Sequence, residues 1–356
     1  MKRRTLLKGG AGLAGLGSMA GCLASLGFER RSARSPPLVE NRPDAVYIPS
    51  HIEGMQMVGM GKAGPYRAAL TVSFPHRFWL MTGRNREMVE LRAEDSVHLM
   101  VSLWDAETQV VPPTSDVTLE ISQGDETVVQ KAPWPMLSQN MGFHFGDNYA
   151  LPGDGTYSVS VKIGPMQTRR TGSFAGRFDD PASVGFSYEY SRSALNELAF
   201  ETLDETKGNE GAVEPMRMEM LPLAQLPEPD GLPGRVIGEA TSGDGRFVVS
   251  VLDEALPGLD GSGQYLAVSA RTPYNRYPLP FMSLASTISR DGSTVVEGPL
   301  KATLDPDLNY HYGAVADDIS SGDTVELEVG APPQAARHEG YETAFVEMPS
   351  MSLNVP

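Results

Sequence analysis

Residues 97–104 read Val-His-Leu-Met-Val-Ser-Leu-Trp, an alternation of aliphatic side chains with four others. A period of two places each set on one face of a β-strand. The same alternation recurs at three further stretches, residues 69–74, 117–121 and 157–163. Turn sequences rich in glycine and aspartate separate these stretches, so we expect an antiparallel β-sandwich.

Composition limits the classes of protein that this chain can form. Its 356 residues carry 45 acidic and 29 basic side chains, a formal net charge of −16. This length predicts about two domains, and the 40% hydrophobic content excludes a wholly disordered chain. A single cysteine excludes an intrachain disulfide framework and a cysteine-rich metal site. The negative charge argues against nucleic-acid binding and suits cations.

Residues 1–22 resemble a twin-arginine lipoprotein signal. Two arginines precede a small apolar stretch that is too short to span a membrane, and Met-Ala-Gly-Cys ends it at Cys22. We expect export by the twin-arginine route and a lipid on Cys22 that anchors the protein on the outer face of the cell membrane. The alternative is a chance cysteine in an apolar stretch. Residues 23–45 are polar and rich in proline, which predicts a flexible tether.

Helical spacing interrupts the β-pattern once. Apolar residues recur every three or four positions between Ser191 and Glu205, and either Ser191 or Ser193 is a suitable N-cap. We therefore predict a helical connector at residues 191–220 between a β-sandwich at 46–190 and a second β-sandwich at 221–356.

The second half of the chain repeats the first. Residues 99–128 align without a gap with residues 266–295, at a constant difference of 167 in residue number. The same difference places His144 on His311, and a slip of one residue then pairs Arg170 with His338. Any two β-sandwiches share alternation, but the aligned His-aromatic-Gly triplets favour a tandem duplication. Such a duplication predicts an intrachain pseudo-dimer in which the two domains face each other.

Metal-ligating side chains stand at the start of the first domain. On a strand, His51, Glu53, Met55 and Met57 would project to one side and offer imidazole, carboxylate and thioether donors. That mixture suits Fe(II) or copper.

Other histidines and methionines allow a structural interpretation. Met136 precedes the motif His-Phe-Gly-Asp-Asn at residues 144–148, although methionine is also a common core residue. His76 follows a proline in a predicted turn, and His98 lies on the polar face of a strand. We expect both of these histidines to be surface or hydrogen-bonded residues rather than ligands.

The order of these motifs resembles the periplasmic Fe(II)-transport-associated protein family over residues 46–190. The shared motifs are His-x-Glu, Pro-Met, His-aromatic-Gly-Asp-Asn and Pro-Gly-x-Gly-x-Tyr. Members of that family are immunoglobulin-like β-sandwiches that bind copper or iron and serve iron permeases. The resemblance implies a metal site built from His51, Glu53, Met136 and His144. The family has a further histidine in an Arg-His-Thr motif, where this sequence has Arg170.

The second domain retains a different set of side chains. Residues 234–356 look like the C-terminal domain of haloarchaeal lipoproteins of unassigned function, a resemblance that implies no chemistry. His311 and His338 would form a second half-site without a His-x-Glu arm, and two imidazoles alone bind first-row metals weakly. The alternative is a pair of unrelated surface histidines.

These observations predict two tandem all-β, immunoglobulin-like antiparallel β-sandwiches with a short helical connector. The sequence has no nucleophile elbow, phosphate-binding loop or His-Glu-x-x-His motif, so we do not expect an enzyme. The expected function is extracytoplasmic, lipid-anchored binding of Fe(II) or copper in support of a membrane iron permease. The alternative is a structural or interaction lipoprotein with a decayed metal site.

Overall fold

A computed structural model of the chain describes residues 34–113 and 116–356. The predicted signal and Cys22 lie outside the described residues, as does the tether up to residue 33. Over the part of the chain that is described, every helix is too short or too polar to cross a membrane.

Residues Leu38–Pro356 form one compact unit, which includes the last part of the predicted tether. The guanidinium of Arg42 lies 3.3 Å from the carboxylate of Glu342. The hydroxyl of Thr343 donates a hydrogen bond to the carbonyl of Ala45 at 3.1 Å. Residues near the C-terminus therefore hold the segment that leads into the first strand.

The described chain is almost entirely β-structure, which confirms the predicted all-β class. The strands up to residue 202 are β1 (His51–Glu53), β2 (Gln56–Ala63), β3 (Tyr66–Ser73), β4 (Phe78–Thr82), β5 (Asn85–Val89), β6 (Val97–Asp105), β7 (Val117–Gln123), β8 (Glu126–Lys131), β9 (Trp134–Ser138), β10 (Gly142–Tyr149), β11 (Gly155–Ile163), β12 (Arg169–Arg170), β13 (Ala182–Tyr190) and β14 (Phe200–Thr202). The later strands are β15 (Arg235–Ser242), β16 (Gly245–Leu252), β17 (Gln264–Arg271), β18 (Ser283–Arg290), β19 (Ser293–Asp305), β20 (Asn309–Ala316), β21 (Thr324–Ala331), β22 (Ala336–Arg337) and β23 (Met351–Asn354).

An eight-stranded sheet carries most of the first half of the chain, in the order β2-β3-β6-β10-β9-β22-β4-β5. Neighbouring strands are antiparallel except β22, which runs parallel to β9 with Ala336 opposite Met136 and Arg337 opposite Leu137. A short strand from the C-terminal part of the chain is therefore built into the sheet of the first half.

Three further sheets complete the fold. Two are antiparallel: a four-stranded sheet in the order β13-β11-β7-β8, and the pair β1-β14. The second half forms a sheet in the order β15-β16-β17-β20-β19-β18-β21-β23, and β12 joins it parallel to β19. Each half thus contributes one short strand to the sheet of the other.

Burial follows the alternation of the sequence where a strand has one exposed face. In β11 the side chains of Tyr157, Val159, Val161 and Ile163 are buried, and most of the intervening ones are exposed. Every residue of β6 is buried, because neighbouring segments cover both faces of that strand. This second pattern matters for the functional site, since it places His98 inside the protein.

The predicted helix at residues 191–205 is wrong beyond its first turn. Helix α1 spans only Arg192–Leu195, capped as predicted by the hydroxyl of Ser191. After it the backbone turns extended: Gly54 donates to the carbonyl of Ala199, and β14 pairs with β1. The backbone N–H and C=O groups of this segment therefore form hydrogen bonds with β1 and Gly54, and a longer helix does not form. Two short 3-10 helices, Gly172–Phe174 and Pro229–Gly231, complete the regular structure.

Candidate metal centre

Three histidines from distant parts of the sequence meet at the eight-stranded sheet. One ring nitrogen each of His76, His98 and His338 lies within 4.8 Å of the other two. The ring of His76 is 4.1 Å from that of His98 and 4.7 Å from that of His338, measured between centroids. Such spacing suits side chains that share one ion.

Strand pairing explains this convergence. His98 lies on β6, and His76 follows β3, the neighbour of β6. His338 comes directly after β22, and its backbone N–H donates to the carbonyl of Leu137 on β9 at 3.1 Å. The insertion of β22 between β9 and β4 therefore delivers an imidazole from the second half of the chain.

A fourth imidazole comes from β10, where His144 pairs with Met136 on β9. Its ring centroid is 5.3 Å from that of His338. We refer to His76, His98, His144 and His338 as the histidine cluster.

Hydrogen bonds at Nδ1 set the orientation of three of these rings. Nδ1 of His144 lies 3.2 Å from the carbonyl of Gly142, and Nδ1 of His76 lies 3.1 Å from the carbonyl of Phe74. A carbonyl oxygen only accepts hydrogen bonds, so each Nδ1 carries the proton and each Nε2 presents a lone pair.

Asn148 orients the third ring. Its side-chain nitrogen donates to the carbonyl of His76 at 2.8 Å, which leaves its side-chain oxygen to accept from Nδ1 of His98, also at 2.8 Å. Nε2 of His98 is therefore also unprotonated. The motif that carries His144 thus supplies a residue that fixes two further histidines, a common role for the outer shell of a metal site.

The lone pairs of the histidine cluster are buried and unused. None of the four Nε2 atoms has a hydrogen-bond partner among the described residues. A buried polar atom without a partner costs about 1–3 kcal/mol, so four in one place are a large penalty for the folded state. A metal ion shared by His76, His98 and His338, whose ring nitrogens lie within 4.8 Å of one another, would lower this penalty.

A partly exposed rim borders the histidine cluster, formed by His51 and Glu53. One carboxylate oxygen of Glu53 lies 3.7 Å from Nε2 of His51, and the other lies 3.5 Å from Nδ1 of His76. Neither oxygen accepts a hydrogen bond from a described residue. The side chains of His51, Glu53 and His76 retain 12%, 9% and 14% exposure. The rim therefore adds a hard oxygen donor where the cluster meets solvent.

Residues near the C-terminus also orient the rim. The hydroxyl of Ser50 donates to the carboxylate of Glu339 at 3.0 Å, and it therefore accepts from Nδ1 of His51 at 2.9 Å. Arg77 holds the same carboxylate at 2.7 Å. Nε2 of His51 is consequently left as a lone pair directed towards Glu53.

A glycine makes room for the ligand atoms. A Cβ atom on Gly146 would lie 2.7 Å from Nε2 of His98 and 3.1 Å from the sulfur of Met136. Met136 is fully buried and packs against Phe78 and Ala336. The thioether and the imidazole of His98 therefore both reach the space above Gly146.

Burial keeps the imidazoles neutral. Loss of solvation lowers the pKa of His144 to about 4 and that of His51 to about 4. The pKa values of His98 and His338 also lie well below the ordinary value, again because of burial. At neutral pH these rings are unprotonated, the form that binds metals.

The structure brings the four residues implied by the family resemblance to one region: Met136 and His144 at the cluster, His51 and Glu53 at its rim. Their neighbours His76 and His98, which we had expected to be non-ligands, have ring nitrogens in the same group.

The second predicted half-site is not assembled. His338 lies in the histidine cluster, whereas Nε2 of His311 lies 3.0 Å from the hydroxyl of Tyr265. Arg170, which stands where the family motif has histidine, binds the carboxylate of Asp179 and the carbonyl of Met166. His338 supplies the imidazole that the first half lacks.

One sequence signal could have identified His98. The stretch 97–104 contains no Asp, Glu, Lys or Arg on either face, which is typical of a strand covered on both sides. A histidine on such a strand is buried and must find a partner. The positions of His76 and His338 depend on long-range packing and carry no local signal.

Two family models match the chain in separate segments. Residues 81–192 match the family described as "Fe2+ transport protein". Residues 230–354 match a family described as "Domain of unknown function (DUF7350)". The first match confirms the family resemblance over those residues. It contains His98, Met136 and His144, whereas the rim, His76 and His338 lie outside it.

Solved structures of FetP from uropathogenic Escherichia coli are also similar. A copper-bound variant is 21% identical, with 38% of this chain and 97% of that chain covered and a TM-score of 0.31. FetP as isolated after expression in the E. coli periplasm is 21% identical, with 39% and 95% covered and a TM-score of 0.28. A search of curated proteins finds no match.

Proposed function

We propose that this chain, whose residues 81–192 match the Fe2+ transport protein family, binds Fe(II) or a copper ion outside the cell membrane and supports iron uptake by a membrane permease. One observation carries the proposal: ring nitrogens of His76, His98 and His338 lie within 4.8 Å of one another, and their buried Nε2 atoms have no hydrogen-bond partner among the described residues. The carboxylate oxygens of Glu53, next to His76, are in the same condition. Mixed nitrogen and oxygen donors suit first-row transition metals of intermediate softness.

The rim provides an entry route. The side chain of Glu53 retains 9% exposure beside His76, and the chain carries a net charge of −16, which attracts cations from solution. His76 lies 3.5 Å from Glu53 and also shares the histidine cluster. An ion captured at the rim can therefore pass to the cluster by exchanging a carboxylate ligand for imidazoles.

The spacing of the three ligands suits one shared ion. Metal–nitrogen bonds of about 2.0–2.1 Å place tetrahedral imidazole nitrogens roughly 3.3 Å apart. The ring nitrogens of His76, His98 and His338 all lie within 4.8 Å of one another, so at most a small movement of the rings brings them onto one ion.

Export and anchoring complete the proposal. The twin-arginine motif and Cys22 support delivery across the membrane and attachment of a lipid, which would keep the metal centre close to a permease. Replacement of Cys22 by serine should then release the protein from membranes with its metal affinity unchanged.

The alternative of a decayed metal site has less support. The sequence argument for decay is Arg170, but this side chain binds Asp179 instead of entering the cluster. A site without function would be expected to lose its buried unpartnered donors, because they destabilise the fold. Here the donors remain, and His338 completes the group.

An anaerobic titration of the purified protein with Fe(II), and separately with Cu(II), tests the proposal. His338→Gln removes a cluster imidazole, and His311→Gln changes a buried histidine elsewhere while retaining a hydrogen-bonding side chain. We expect the first variant to bind at least about 100-fold more weakly and the second to match the wild type.

Thermal unfolding gives an independent readout. An ion at 100 times its dissociation constant should stabilise the wild type by about 2.7 kcal/mol and His338→Gln much less. Absence of binding by the wild type, or equal binding by both variants, would overturn the proposal.

A further inference from the structure

Strand β22 joins the sheet of the first half, and strand β12 joins the sheet of the second half. The two strands pair with those sheets in equivalent register. Ala336 lies opposite Met136, and Arg169 lies opposite Thr303, both in parallel pairing. Thr303 follows Met136 by 167 positions, and Ala336 follows Arg169 by the same 167. The difference of 167 in residue number, found by aligning residues 99–128 with residues 266–295, therefore also relates the two exchanged strands and the strands they pair with. This agreement supports a tandem duplication.

This register corrects the pairing of Arg170 with His338 that the sequence alignment gave. At a difference of 167, Arg170 is equivalent to Arg337, and His338 is equivalent to Thr171 rather than to Arg170. The contacts agree: Arg170 donates to the carbonyl of Met166 and Arg337 to that of Pro333, each four residues before the arginine.

Five positions at the cluster therefore have a counterpart in the other half of the chain, whereas His76 has no histidine counterpart. The equivalent pairs, each separated by 167, are His98 and Tyr265, Met136 and Thr303, His144 and His311, Gly146 and Gly313, and Thr171 and His338. The glycines share a role, because a Cβ atom on Gly313 would lie 2.2 Å from the hydroxyl of Tyr265. Gly146 stands in the same relation to His98.

We refer to the group around His311, Tyr265, Thr303 and Gly313 as the counterpart site. The guanidinium of Arg169 lies among the last three of these residues. Its Nε donates to the hydroxyl of Thr303 at 2.8 Å, and one terminal nitrogen donates to the hydroxyl of Tyr265 at 2.9 Å and to the carbonyl of Gly313 at 3.0 Å. The equivalent position at the histidine cluster is Ala336, which has no charged group.

The lone pair of His311 is already used. Its Nδ1 lies 3.0 Å from the carbonyl of Asn309, so Nε2 is unprotonated and accepts from Tyr265 at 3.0 Å. Tyr265 in turn accepts from Arg169. His144, in contrast, has no partner at Nε2 among the described residues.

We propose that this counterpart is a closed cation site, in which Arg169 stands where the histidine cluster takes a metal ion. The chain accordingly takes one transition-metal ion, at the cluster, and none at the counterpart. Arg169 also acts as a clasp, by which we mean that its hydrogen bonds hold β12 to the sheet of the second half without any ion. A metal ion bound to His338 would stabilise the position of β22 in the sheet of the first half. The stoichiometry rests on the proposed function, but the closed geometry does not.

Metal stoichiometry of designed variants tests this inference, with Co(II) as the probe because its visible spectrum reports coordination. In the triple variant Arg169→Ala, Tyr265→His and Thr171→His, the native His311 and the two new histidines stand at the counterparts of His144, His98 and His338. We expect one equivalent for the wild type and one more for the triple variant, lost again when His311→Gln is added.

Several outcomes would overturn the inference. One is a folded triple variant that gains no ion. Another is a wild type that binds two ions and loses one in His311→Gln, a comparison that needs no redesign. If the wild type binds none, the proposed function fails; a triple variant that then binds one ion through His311 still supports the closed site.

A metal-free measurement addresses the clasp. Arg169→Ala should lower the melting temperature in chelated buffer, because Thr303, Tyr265 and Gly313 lose their donor. An unchanged melting temperature would contradict the role of Arg169 as a clasp.

Discussion

Replacement of Gly146 by alanine should weaken metal binding and lower the stability of the fold. Gly146 lies on β10 opposite Met100 of β6 and Trp134 of β9. An added Cβ would lie 2.7 Å from Nε2 of His98 and 3.1 Å from the sulfur of Met136. Carbon contacts are optimal at about 3.5 Å or more, so Nε2 of His98 must move by roughly 0.8 Å.

That displacement sets the size of the effect. Ligands need to be held within about 0.5 Å of their working geometry, and disturbed orientation of a ligand typically lowers metal affinity about 10–100-fold. The expected loss of binding free energy is therefore about 1.4–2.7 kcal/mol. Overpacking of the buried site should also cost about 1–3 kcal/mol of folding free energy.

Calorimetric titration with Fe(II) or Cu(II), alongside urea unfolding, measures both quantities. Gly185→Ala is the matched control, because Gly185 lies on β13 and an added Cβ has no heavy atom within 4 Å. Gly313→Ala is a second control, since it crowds Tyr265 in the other half and should lower stability without changing metal affinity. A folded Gly146→Ala protein that binds metal as tightly as the wild type would refute the reasoning.

Two further predictions concern stability. Burial lowers the pKa of His144 and of His51 from 6.5 to about 4, so the unfolded state takes up protons first as the pH falls. The metal-free protein should keep its stability above about pH 6.5 and lose it progressively towards pH 4; thermal unfolding that is unchanged across this range would contradict the assignment. Arg337 is fully buried and donates to four backbone carbonyls, so Arg337→Met should cost roughly 3 kcal/mol or more in urea unfolding. Arg84→Met, at a half-exposed side chain, should change stability by less than about 0.5 kcal/mol, and equal losses in both variants would count against the role of Arg337.

Local periodicity was sufficient to predict four strands of the first half, which are β3, β6, β7 and β11. The alternation at residues 157–163 reappears in β11 with its apolar side chains buried, and that at 97–104 became β6. The same local reasoning failed at residues 196–205, where the spacing of apolar residues predicted a helix. The backbone there is extended instead, because β14 pairs with β1. A partner strand almost 150 positions earlier cannot be recognised from the spacing of apolar residues.

The residues of the candidate site also fall into two groups, those that local sequence predicts and those that depend on long-range contacts. His51, Glu53, Met136 and His144 stand in motifs that can be read locally or by family resemblance. His98 was misjudged because alternation alone cannot tell an exposed polar face from a face covered by other segments. His338 depends on the insertion of β22 between β9 and β4, a contact across about 200 residues. Its role follows from topology, and no local pattern around residue 338 indicates it.

Anomalous diffraction from crystals loaded with one equivalent of copper tests the central claim most directly. We expect one strong peak per chain within about 2.0–2.3 Å of ring nitrogens from His76, His98 and His338, with the His311 region free of anomalous density. A peak elsewhere, or loaded crystals in which these three imidazoles remain unligated, would contradict the proposed metal centre.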